Sequence, residues 1–358
     1  MARFAVVFCW VFTLLVSSPM SARAASVNWL YDVDVPVVDQ SADVRGAAFK
    51  QALLVALKRL SGLSDVPMNP AVRSALESPQ RFYVEYRYRE EDNPISPAKP
   101  GKVLMLSVRF AENALQKLIA DAGLPLWSSN RPTTLAWIVV VDGNSRTVLA
   151  ATDRSPLTNA LRTRARERGL PLVLPEMGQD EQLEVSAAAV LSGTSQVLEQ
   201  ASERYAPDQM LVGRLTRGAN SWVADWQLTE HANRQHFNFD SATSEAASAA
   251  IVDRLVEQLV TRYAVASGAQ QRLQIEVEGI ADVSQYGALT KYLGGLEFID
   301  SVQIEEVRAN VVYLSLATRT PWDRLRDLLA LDGRLAPSQQ IEVVAERRVL
   351  MWRGDLHR

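Results

Sequence analysis

Apolar and polar positions alternate through VNWLYDVDVPV, where Val27, Trp29, Tyr31, Val33 and Val35 share one face. A period of two marks a half-buried strand. The next stretch, SADVRGAAFKQALLVALKRLSG, changes period: Ala48, Ala52, Val55, Ala56 and Leu60 recur at helical spacing, and Gly62 supplies a C-terminal stop. RFYVEYRYRE and KVLMLSVRF predict two strands around the Pro-rich loop DNPISPAKPG, and ENALQKLIADAGL predicts a helix. The order β-α-β-β-α is ferredoxin-like, with helices covering one face of an antiparallel sheet.

The same order returns near the C-terminus. RLQIEVEG is a strand, Tyr286, Leu289 and Leu293 mark a helix after Asp282, and SVQIEEV and NVVYLSLAT are two further strands. The last helix is expected to open with Thr320 as N-cap, Pro321 at its first position and Asp323 near the positive end of its dipole. Leu325, Leu328 and Leu329 then face inward, and Gly333 follows the end. No residue-by-residue repeat links the two units.

Between them, TLAWIVVVDG reads as a buried strand, LTNALRTRARERG as a helix, LPLVLPEM as a second strand, AAAVLSGTSQVLEQASERYA as a longer helix and MLVGRL as a third strand. That alternation implies parallel pairing with right-handed crossovers. SWVADWQLTE and RQHFNFDS then predict an antiparallel hairpin, and ASAAIVDRLVEQLVTRYAVAS a closing helix. The fold class is therefore α/β and α+β, with ferredoxin-like units at 25–130 and 269–335 flanking a mixed-sheet α/β domain at 131–268. Residues 336–358 are left as a tail, an exposed strand or mobile segment in which Trp352 is a candidate anchor for a partner.

Composition adds where the chain works. Arg3 precedes the apolar run FAVVFCWVFTLLV, which leads to Ala22-Arg23-Ala24, a secretory signal with cleavage near Ala24. The run is shorter than the ~20 residues a spanning helix needs, and no transmembrane anchor is expected elsewhere. The single cysteine, Cys9, lies inside that leader, so the exported product is expected to be disulfide-free. The formal net charge of −3 falls to about −5 once Arg3 and Arg23 leave, a poor balance for binding nucleic acid. With 358 residues the chain can build two or three ordinary cores.

Three segments carry a family likeness: YDVDVPVVDQSADVRGAAFKQALLVALKRLSG, RGLPLVLPEM and ERYAPDQMLVGRL. Together they resemble the exported proteobacterial family catalogued as domain of unknown function 2066. That resemblance implies a periplasmic location and assigns no reaction. The middle unit is also similar, in fold alone, to the α/β domains of TolB-type and penicillin-binding-protein-activator envelope proteins.

Candidate chemistry is sparse. Arg214, placed just past Val212 and Gly213, would meet an anion if it lay beyond the carboxyl end of a parallel strand. The alternative is that Gly213 eases the chain into its hairpin while Arg214 pairs locally. Trp222 and Trp226 share a strand face with Ala224 and Leu228. They form either a stacking platform for sugars and peptides or the underside of the sheet against the closing helix. His231 and His236 would oppose each other if the hairpin turned at Asn233 and Arg234; exposed, unrelated histidines are the simpler reading. Arg162, Arg164, Arg166 and Arg168 spread around one helix, with Leu157, Leu161 and Ala165 as its inward line, and default to a solvated basic face.

There is no G-x-G-x-x-G, Walker, G-x-S-x-G or H-E-x-x-H motif, so no cofactor or metal is expected. Two functions follow. One is a non-catalytic adaptor for an envelope protein or peptidoglycan-associated partner, using sheet edges, hairpins and helix faces. The other is a carboxylate-dependent hydrolase or small-ligand binder sited near Gly213 and Arg214. A pocket at the end of the middle sheet, with two acidic groups and an uncommitted Arg214, would favour the second.

Overall fold

The computed structural model describes residues 25–92, 101–192, 195–230, 233–265, 270–331, 333–338 and 348–354. The leader with Cys9, and also His231 and His357, lie outside the described residues.

In the N-terminal unit, β1 (Ala25–Ser26) leads through a 3-10 turn at Asn28–Tyr31 into β2 (Asp32–Val37). The alternation at 27–31 thus belongs to a tight turn, with Val27, Leu30 and Tyr31 buried. Next come α1 (Ala42–Ser61), α2 (Pro70–Glu77), β3 (Tyr83–Asp92), β4 (Lys102–Phe110) and α3 (Glu112–Asp121). α1 buries Ala48, Phe49, Ala52, Leu53, Ala56, Leu57 and Leu60 in one helical stripe and ends on Gly62 in the left-handed conformation, φ 67°. α2 begins as its sequence directs: the Asn69 side chain accepts the Val72 N–H, and Pro70 follows the cap. The sheet order is β2-β4-β3, antiparallel throughout, the split β-α-β expected of a ferredoxin-like unit. β5 (Asn130–Arg131) returns to pair with β1 and ties the two ends of the unit together.

The middle sheet is built on β6 (Thr134–Asp142), whose first six residues are all buried. Such a strand has no solvent side, and its side chains divide between two cores. Ala136 and Ile138 face one, and Leu135, Trp137 and Val139 the other. β7 (Ser145–Val148) folds back as an unanticipated hairpin before α4 (Pro156–Arg168), and β8 (Leu172–Val173) makes only two parallel pairs with β6. A short α5 (Gln179–Glu184) precedes the expected long helix, whose described residues form α6 (Ala187–Ser192), α7 (Ser195–Ser202) and a 3-10 turn at Glu203–Tyr205. β9 (Gln209–Arg217) runs parallel to β6 and is followed by the hairpin β10 (Trp222–Glu230) and β11 (Asn233–Ser241), then by α8 (Ser244–Tyr263). α4 and α8 cover one face of this sheet.

The C-terminal unit has β12 (Gln271–Glu278), α9 (Val283–Gly294), β13 (Ile299–Arg308), β14 (Val311–Thr318) and α10 (Trp322–Ala330). α10 starts one residue later than the sequence suggests: Pro321 is the cap and Thr320 is buried before it. β15 (Leu335–Pro337) and β16 (Val349–Trp352) join the same sheet, giving the order β13-β14-β12-β16-β15. β16 pairs in parallel with β12, so the C-terminal unit extends through Trp352. The segment read as a tail supplies a strand, because β12 would otherwise present an open edge over the core.

Candidate functional site

Two buried arginines, Arg131 and Arg168, join the N-terminal and middle units. Arg131 is fully buried, its guanidinium 3.8 Å from the centre of the Trp127 ring. It donates to the carbonyl oxygens of Arg59 at 2.9 Å, Trp127 at 2.6 Å, Ser128 at 2.8 Å and Gly169 at 2.7 Å. Arg59 lies in the last turn of α1 and Gly169 caps α4, so two helix C-termini aim their negative ends at one cation. Burial pushes Arg131 down to about 9, still charged at neutral pH. Gly169, at φ 72°, leaves room for it, since a Cβ there would lie 2.2 Å from the Arg131 Nη1.

Arg168, 1% exposed, donates to Gly62 O and lies 2.9 Å from Asp253 of α8, which Arg164 also grips with two bonds. Arg162 donates to the carbonyls of Ala150, Ala151 and Asp153, and Arg166 stacks over Trp29. Two of these arginines, Arg166 and Arg168, reach the N-terminal unit, and Arg162 and Arg164 are spent inside the middle unit, where the sequence alone suggested a solvated face. On the C-terminal side, Arg324 donates to Ala264 O and Thr261 O at the end of α8. Glu297 accepts from the Tyr31 hydroxyl at 3.0 Å and the Ser129 N–H at 2.8 Å.

The singled-out residues fall into place around this frame. Gly213 and Arg214 sit in mid-strand, not beyond a strand end: β9 continues to Arg217, and Arg214 is 3.1 Å from Asp225, its cross-strand neighbour. Gly213 faces Trp226, and a Cβ there would lie 2.1 Å from the indole. The glycine exists to admit that ring. Trp226 is buried with Ala224 and Leu228 in the core shared with α8, and Trp222 is partly buried at its border. Trp352, 5% exposed, packs against Tyr292 with ring centres 5.8 Å apart, so it is a core residue rather than a surface anchor. His236 pairs with Gln227, and Asn233 and Arg234 are strand residues paired with Glu230 and Thr229 rather than the turn, so the register on which the opposition of the two histidines depended is not adopted; His231 lies outside the described residues.

Two surfaces remain for chemistry. The first is a cleft of about 580 Å³ at the carboxyl end of the β6–β9 pair, between β7, the start of β10 and the first turns of α4 and α8. Trp222 lines it, Val140, Val148 and Pro156 contribute apolar surface, and Asp153 and Glu245 bring carboxylates. Asp153 accepts from the Ser155 N–H and hydroxyl, both at 2.9 Å, and from the Thr158 hydroxyl at 2.7 Å. Partial burial alone would raise its pKa, but these bonds hold it below the usual carboxylate range.

The second surface is the outer edge of β3, which pairs with no other strand among the described residues. A bulge between Tyr83 and Glu85 shifts the pleat by one residue, so Tyr83, Tyr86 and Tyr88 come onto one face, and Val84 is left exposed. Phe49 of α1 stacks on Tyr83 at 4.6 Å, Tyr86 meets both edge-on, and Tyr88 continues the ladder. Tyr86 keeps 43% of its surface exposed. Arg45 stands on α1 beside these rings, and open space surrounds Gly46 on the same turn. A strand with one open edge is the geometry to which extended peptides add as a further strand. The sequence showed the tyrosines; the bulge that aligns them gave no signal.

A family model described as Domain of unknown function (DUF8605) matches residues 24–128, the unit that carries this open edge. No curated protein and no solved structure matches the chain. Among the described residues, no helix is long and apolar enough to cross a membrane, and no cluster of three or more His, Cys, Asp or Glu could hold a metal.

Proposed function

We propose that the protein is a non-catalytic binding protein of the periplasm, of the exported family of unknown function that its three motifs resemble. In this reading it takes an extended segment of an envelope protein as an added strand along the outer edge of β3. The observation that carries it is the aromatic ladder Phe49–Tyr83–Tyr86–Tyr88 lying along an unpaired ten-residue edge. Backbone bonds along β3 would supply affinity, the half-exposed Tyr86 would grip an apolar side chain, and Arg45 would favour an acidic residue beside it. The interdomain arginines support the same reading, because a pre-organised body loses less freedom on binding. Asp153 commits both oxygens to the start of α4, which weighs against its use as a general acid in hydrolysis.

The test is a photoreactive residue at position 86 in intact cells, with a control at Gln303 on the edge strand of the C-terminal sheet. The expected result is one envelope protein cross-linked at 86, absent at 303 and lost when Arg45→Glu is added. The same adducts at both positions, or adducts indifferent to Arg45→Glu, would remove the open edge from the account.

A further inference from the structure

We propose that the cleft at the carboxyl end of the middle sheet is a binding site for an ammonium group on an aliphatic stem, with Trp222 and Glu245 as its recognition residues. The site is separate from the β3 edge and does not depend on it. Its lining contains two carboxylates, Asp153 and Glu245, and no lysine, arginine or histidine. The nearby Arg162 directs its donors to the carbonyls of Ala150, Ala151 and Asp153 and so serves the loop. The first turns of α4 and α8 are each capped from within, Ser155 Oγ accepting the Thr158 N–H and Thr243 Oγ1 the Ala246 N–H, which leaves fewer free N–H groups for an anion.

What the cleft offers is an indole wall, an apolar floor and negative charge at the rim. A cation is attracted to an indole face, and its methylene stem gains by covering the accessible parts of Val140, Val148 and Pro156. Asp153 stays ionised through its three hydrogen bonds, and among the described residues Glu245 accepts a bond from the neighbouring Ser244 alone, at 2.9 Å, so its carboxylate can turn to the ligand. An anionic or purely apolar ligand would lose the rim; a neutral alcohol would lose the charge. The ammonium can come from a free diamine or from a lysine side chain of a peptide, and the probes separate the two.

Isothermal titration of the full chain would use cadaverine and the peptide acetyl-Gly-Lys-Gly-amide, with n-pentanol and pentanoate as controls. The expected result is saturable binding of at least one ammonium probe at roughly millimolar Kd, the range open to so small a ligand. The controls should show none. Glu245→Gln should weaken binding about fivefold, as loss of one partly exposed charge contact implies. Trp222→Leu should weaken it further while thermal melting confirms that both variants fold. Tighter binding of cadaverine identifies a free amine as ligand, and tighter binding of the peptide a protein segment. No saturation by either probe, equal binding of pentanol, or an affinity unchanged in Glu245→Gln overturns the assignment.

Discussion

Replacing Arg131 by Met keeps the length and much of the apolar stem of the side chain and removes the guanidinium. Four buried carbonyls, those of Arg59, Trp127, Ser128 and Gly169, then lose a donor that now stands 2.6–2.9 Å away. An unsatisfied buried acceptor costs ~1–3 kcal/mol. Against that sum stands the relief of no longer burying a cation, several kcal/mol in the opposite direction. The stacking on Trp127 at 3.8 Å is also lost. The net expectation is a destabilisation of about 3–5 kcal/mol, the balance left when the four unsatisfied acceptors outweigh the relief of desolvation.

Because the four carbonyls come from the end of α1, the end of α4 and the connection between them, the loss falls on the junction. Urea unfolding followed by far-UV circular dichroism and by tryptophan fluorescence should therefore show two separated transitions in the variant and a closer coincidence in the parent. Arg131→Lys should recover only part of the loss, since a single ammonium cannot span four divergent acceptors. A change below about 1 kcal/mol with coincident transitions would refute the view that this cation fastens the N-terminal and middle units.

Two further expectations rest on other contacts. Gly213→Ala places a Cβ 2.1 Å from the Trp226 ring and 2.8 Å from the Asp225 carbonyl, so chemical denaturation should show a loss of about 1–3 kcal/mol, partly restored by Trp226→Leu; an additive double mutant would contradict the packing argument. Tyr31 is held protonated well above its ordinary 10.0 by burial and then by the charge of Glu297, so its contribution is complete below about pH 10 and is lost as pH rises through the native value. Tyr31→Phe should cost ~0.5–1.5 kcal/mol at pH 8, and the gap from the parent should narrow above pH 10 in urea titrations at stepped pH; a gap that widens would reverse the assigned sign.

The sequence by itself determined the elements whose signal is local. Period two gave β2, β4 and β12, helical spacing gave α1, α4 and α8, Gly62 stopped α1, and the run of apolar residues in β6 announced a strand covered on both faces. The face shared by Trp222, Ala224, Trp226 and Leu228 was legible for the same reason, because strand pleating fixes it within a few residues. The β3 surface was legible only as a row of tyrosines; the bulge and the missing neighbour on its outer edge depend on pairing across the sheet.

Only the tertiary structure decided where the charges and the last aromatic went. Periodicity places Arg164 and Arg168 outside the inward line of α4, but it says nothing about α8 bringing Asp253 against that second face. It reads Arg131 as one polar residue in a connection, whereas convergence of two helix ends surrounds it with carbonyls. Trp352 looked like a surface anchor because it lies in the segment left as a tail, and it is buried because β16 pairs with β12. In each case the deciding contact joins residues far apart in the chain, and a long polar or aromatic side chain is stable exposed or buried according to which partner arrives.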